Sequence, residues 1–87
     1  MKKPVTVLYF AWLRERTGLA QEEFQLPDSS QTVSSLVDFL SARSVRHAAA
    51  FQHCEAVRCA VNQEFADLSC PVQPGDEIAF FPPVTGG

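Results

Sequence analysis

The chain has 87 residues, which is enough for one domain, and a fold of this size buries only about 60–65% of the surface its unfolded chain exposes. Its 46% hydrophobic and 20% charged residues are ordinary for a globular domain and exclude wholesale disorder, while the small core leaves little room for a deep, walled active site. The net charge is −3, and Lys2, Lys3, Arg14, Arg16, Arg43, Arg46 and Arg58 form no run, so no basic stripe for nucleic acid is expected.

The N-terminus, MKKPVTVLYFAW, begins with lysines and then apolar residues, as a signal peptide does. The apolar run breaks at Arg14-Glu15-Arg16 and has no small-residue cleavage site, so it reads as a first strand of a cytoplasmic protein. No stretch approaches the roughly 20 apolar residues that span a bilayer. Val5 to Phe10 is rich in β-branched and aromatic residues, and both of its faces are largely apolar. That predicts an inner strand, covered on both sides or lying beside another buried strand.

Trp12 to Thr17 predicts one or two helical turns, with Gly18 as a left-handed C-cap. Gln21 to Leu26 alternates, with Phe24 and Leu26 on one side and Glu23 and Gln25 on the other, as a half-exposed strand does. Pro27-Asp28-Ser29-Ser30 ends it. The clearest helix runs from Val33 to Ala42, capped by Thr32 or Ser30. Val33, Leu36, Val37 and Leu40 share one face, and a single apolar stripe of this kind needs a sheet to lie on.

Val45 to Phe51 predicts a second short helix, and Ala56 to Val61 a strand. Asn62-Gln63 reads as a tight turn into a short return strand, Glu64 to Ala66. Cys54, Cys59 and Cys70 are odd in number and lack CxxC spacing, which argues against a disulfide framework and a zinc site. Pro71 to Asp76 is a loop, and Ile78 to Phe81 a final apolar strand stopped by Pro82-Pro83. The expected fold is α+β of the β-grasp type. About five strands form one mixed sheet, with the first and last strands central, one main helix across one face, and one or two short helices.

Residues 82–87, PPVTGG, are expected to form a tail beyond the domain of residues 1–81. Extended, six residues reach about 20 Å. Pro82-Pro83 stiffens its base, and Gly86-Gly87 makes a tip narrow enough to thread a channel that any side chain would block. The reactive group is then the terminal carboxylate, a poor electrophile until a nucleoside triphosphate converts it to an acyl-adenylate.

The run from Gly75 to Gly87, GDEIAFFPPVTGG, resembles the C-terminal signature of the small subunits of molybdopterin synthase (MoaD), which are ubiquitin-like sulfur carriers. Tyr9-Phe10-Ala11 with Leu13-Arg14-Glu15, and Ala60-Val61-Asn62-Gln63, resemble the same family's first strand and helix and its late hairpin. The resemblance implies that Gly87 is adenylated with ATP and magnesium by an activating partner (MoeB), and that a sulfur donor protein then leaves a Gly87 thiocarboxylate. It also implies a large subunit (MoaE), in a heterotetramer, where sulfur passes to cyclic pyranopterin monophosphate to build a dithiolene. This chain would be the sulfur-carrying subunit, not an enzyme on its own, and would bind no metal or cofactor itself.

By the same resemblance Gly86 gives clearance in the channel, Val84 and Thr85 touch its walls, and Phe81, Phe65 and Arg14 dock on the partner. Alternation alone leaves open whether Phe65 and Phe81 face the core or a partner, and whether Arg14 is only a solvated charge. The rival readings are a carrier for another pathway of the thiamine thiazole type, a ubiquitin-like protein modifier, and a plain interaction domain.

Overall fold

Two apolar strands, β1 (Val5–Tyr9) and β5 (Glu77–Phe81), run side by side and parallel in the computed structural model, which describes residues 3–27, 31–52 and 56–83. Thr6 lies opposite Glu77 and Tyr9 opposite Phe80. Alternation sends Val5, Val7, Tyr9, Ile78 and Phe80 into the core. β2 (Gln21–Phe24) pairs antiparallel with β1, and β3 (Arg58–Val61) antiparallel with β5. β4 (Glu64–Ala66) closes the far edge, giving the order β2-β1-β5-β3-β4. This is the expected β-grasp sheet, with the first and last strands at its centre.

Among the described residues three helices pack on one side of the sheet: α1 (Trp12–Thr17), α2 (Val33–Ser41) and α3 (Val45–Ala50). α2 buries Val33, Leu36, Val37 and Leu40, the predicted stripe. Its cap is Thr32, whose hydroxyl accepts from Ser35 N at 3.2 Å while Ser35 Oγ accepts from Thr32 N at 3.0 Å. Gly18 caps α1 with φ 79°, and its amide donates to the Arg14 carbonyl at 2.9 Å.

Two strands are shorter than expected: β2 stops at Phe24 and β3 begins at Arg58. The Pro71–Asp76 loop also does more than connect: Thr32 and Pro71 form a bridge, Val72 N donates to Gln31 O at 3.1 Å, and Val33 N donates to Cys70 O at 3.0 Å. The loop thus ties down the start of α2.

Of the two explanations for β1's apolar faces, the neighbour explanation holds. β1 lies beside β5, and among the described residues no helix covers its outward Thr6 and Leu8, which are only half-buried.

Candidate functional site

Because β1 and β5 are parallel, both finish at the same end of the sheet. There Phe10 N donates to Phe80 O at 3.1 Å, so the exit from β1 is bonded to the exit of β5. Ala11 turns the chain into α1 with φ 54° and ψ −131°, a conformation that glycine adopts far more readily. β5 ends at Phe81, and the half-buried Pro82 and Pro83 follow. Val84, Thr85, Gly86 and Gly87, the expected tail and reactive end, lie outside the described residues.

The helix-free face of the sheet carries the aromatic residues expected to dock. Phe65 of β4 is 84% exposed, which rules out the core alternative for it. Its ring meets that of Phe81 with centroids 5.9 Å apart and planes tilted by 59°. In register Phe65 lies opposite Ala60, and Phe81 opposite Arg58. β3 therefore separates the two, and the small Ala60 leaves room for the rings to meet. Half-buried Ala79 and Leu8 continue the same face towards β1, and Phe10 beyond them is 48% exposed. Arg14 is exposed on α1 at the end of the sheet where β5 finishes, and the ring pair forms without it.

A second cluster was not among the residues expected from the sequence. Glu22 of β2 receives the Tyr9 hydroxyl and His47 Nε2 on one carboxylate oxygen, each at 2.7 Å, while Arg43 Nη2 lies 3.4 Å from the other. His47 Nδ1 is 2.7 Å from Ser44 Oγ. Burial alone would raise the Glu22 carboxyl, but hydrogen bonds from His47 and Tyr9, with the charges of His47 and Arg43, together hold it below its ordinary value. Burial, then the bond to and charge of Glu22, push the Tyr9 hydroxyl far above the ordinary phenol range. This cluster joins β1, β2 and α3 behind the sheet and lies on the opposite face from Phe65, so it is a structural clasp. The one sequence signal was parity: Glu22 alternates with Phe24, which points it towards the helices.

Cys59 is buried with its thiol donating to Ala66 O at 3.3 Å, and Cys70 is half-buried beside Pro71 O at 3.6 Å. Cys54 lies outside the described residues. Among the described residues no group of three or more His, Cys, Asp or Glu side chains is placed to hold a metal ion, and no helix is long and apolar enough to cross a membrane.

Comparison with known proteins places this architecture. The ThiS family profile matches residues 7–87. The molybdopterin synthase sulfur carrier subunit of Escherichia coli K12 is 40% identical over 83 residues, covering 95% of this chain and 99% of that protein. A putative molybdopterin converting factor subunit 1 of Pyrococcus furiosus superposes with a TM-score of 0.75 at 28% identity, covering 94% of this chain and 99% of the other. The small archaeal modifier protein 1 of Haloferax volcanii superposes with a TM-score of 0.72 at 26% identity, with coverage of 94% and 99%. The chain therefore belongs to the ThiS family of ubiquitin-fold sulfur carriers and is of the molybdopterin synthase (MoaD) type.

Proposed function

We propose that this carrier works through its terminal carboxylate. An activating partner adenylates Gly87, with ATP and magnesium as that partner's reagents and pyrophosphate leaving. A persulfide sulfur from a donor protein displaces AMP, and reduction of the mixed disulfide by a thiol leaves a Gly87 thiocarboxylate. The thiocarboxylate sulfur then attacks a carbon of the pterin precursor, that carbon's C–O bond breaks and its oxygen leaves, and water hydrolyses the acyl–sulfur link, leaving the sulfur on the pterin and returning the Gly87 carboxylate. Two such rounds supply the two sulfurs of a dithiolene. This chain contributes the sulfur and the fit, and the acid–base groups belong to the large subunit, with which it forms a heterotetramer in the cytoplasm.

Docking in this reading uses the exposed Phe65 with the half-buried Phe81 it meets, and Arg14, with Val84, Thr85 and Gly86 lining the partner's channel. Aromatic anchors suit such a role. The observation that supports the reading most is the similarity to the Escherichia coli carrier subunit over 95% of this chain, together with the contact of the exposed Phe65 ring with Phe81 at the end of β5.

The test is deletion of Gly87. Intact-mass measurement of the full chain, incubated with activating enzyme, ATP and sulfur donor, is expected to show one oxygen exchanged for sulfur. The truncated chain is expected to show none, to make no molybdopterin and to keep its circular dichroism spectrum. Normal synthesis by the truncated chain would refute the proposal. The likeness to a small archaeal modifier protein favours one second reading, in which a lysine amine attacks the activated terminus. That reading requires conjugates of higher mass that survive reducing gels.

A further inference from the structure

The β3–β5 ladder holds the late hairpin to the sheet, and at the hairpin's turn a side chain completes that ladder. Asn62 and Gln63 form its turn, both with positive φ, 52° and 71°. Asn62 stands next in the β3–β5 ladder after Val61 opposite Ile78, which would pair it with Glu77. Half of that pair is regular: Asn62 N donates to Glu77 O at 2.7 Å. The other half is not, because a positive φ swings the Asn62 carbonyl out of the ladder. Glu77 N instead donates to the side-chain oxygen, Asn62 Oδ1, at 3.0 Å.

The remaining amide group is also used. Asn62 Nδ2 donates to Asp76 Oδ1 at 3.1 Å, and Asp76 Oδ2 accepts from Gln73 N at 2.8 Å. The Asp76 carbonyl in turn accepts from Thr6 N of β1 at 3.0 Å. A two-residue turn thereby gains anchorage on β5 and, through Asp76, on β1. The strand that follows this turn carries Phe65, whose ring must reach across β3 to Phe81.

We propose that Asn62 is a positioning residue for partner docking: by substituting its side-chain carbonyl for the missing backbone one, it sets the hairpin so that Phe65 and Phe81 present one joined aromatic surface. The inference rests on the docking role given to Phe65 above. Asn62 touches no partner itself. An aspartate at this position keeps the acceptor for Glu77 N but loses the donor and sets two carboxylates against each other at Asp76. Exchanging the roles, with aspartate at 62 and asparagine at 76, regenerates every bond with one donor and one acceptor reversed.

The experiment compares the wild-type chain, Asn62→Asp, and the double variant Asn62→Asp/Asp76→Asn. Nuclear Overhauser contacts between the Phe65 and Phe81 rings are read in the free protein, and affinity is read for the molybdopterin synthase large subunit. The single variant is expected to lose the ring contacts and to bind about tenfold more weakly, and the double variant to recover both to within about twofold. Ring contacts that persist in Asn62→Asp, or a double variant as impaired as the single one, would overturn the proposal. If ring contacts are lost while affinity holds, the docking role of Asn62 is overturned. Failure of the wild-type chain to bind the large subunit would instead sink the functional reading, and the docking role of Asn62 with it, while the ring contacts would still decide whether Asn62 joins the rings.

Discussion

His47 Nε2 lies 2.7 Å from Glu22 Oε2, joining α3 to the outer strand across 25 positions of sequence. Both side chains are nearly enclosed, at 9% and 13% exposure, and the same carboxylate oxygen accepts the Tyr9 hydroxyl. Removing the carboxylate leaves a buried imidazole N–H and a buried phenol without an acceptor. Glu22→Ala is therefore expected to lower unfolding free energy by about 2–3 kcal/mol, measured by urea denaturation.

The same contact has a pH signature. The Glu22 carboxyl is held below its ordinary value of 4.5 in the fold, so the unfolded chain takes up a proton more readily. The contribution of Glu22 is thus full above that ordinary value and is lost as pH falls through the lowered one. Urea midpoints should drop on acidification below about pH 4.5, and Glu22→Gln should show a shallower drop over the same range. Equal slopes for the two proteins would contradict this account of the clasp.

Phe65 is 84% exposed, so its truncation should cost the fold almost nothing. Phe65→Ala is expected to change stability by no more than about 0.5 kcal/mol and to weaken binding of the large subunit by about 2 kcal/mol, roughly thirtyfold. Calorimetric titration together with thermal melting separates the two effects.

Thr32 holds the first turn of α2 through its reciprocal bonds with Ser35. Thr32→Ala should destabilise the protein by about 1 kcal/mol, whereas Thr32→Ser keeps the acceptor and most of the stability. Chemical denaturation of the pair reports the difference.

Gln63 sits at φ 71°, where a side chain is strained and glycine is not. Asparagine followed by glycine is the favoured pair for this two-residue turn. Gln63→Gly is expected to raise stability by about 0.5–1 kcal/mol, seen as a higher melting temperature with the Phe65–Phe81 contact retained.

Much of this protein is written in short-range pattern. The apolar positions of α2 recur with the helical period, so Val33, Leu36, Val37 and Leu40 had to share a face. Gly18 marked a left-handed cap and Asn62 the start of a tight turn, because few residues suit those dihedral angles. Pro82-Pro83 marked the end of the last strand, since a strand cannot continue without amide hydrogens. The run from Gly75 to Gly87 carried most of the family likeness, with Tyr9-Phe10-Ala11, Leu13-Arg14-Glu15 and Ala60-Val61-Asn62-Gln63 agreeing.

What the tertiary structure decided was which distant groups meet. Alternation puts Phe65 on one side of β4 but does not say whether that side is covered. Only the packing of all three helices on the opposite face left it 84% exposed against Phe81. Glu22 and His47 likewise look like ordinary surface residues until β2 pairs with β1 and α3 folds over it. Local dihedral preference and periodicity act within a few residues and so can be read from the chain. Contacts across 15 or more positions, such as Asn62 with Glu77, exist only once strand order has brought their backbones together.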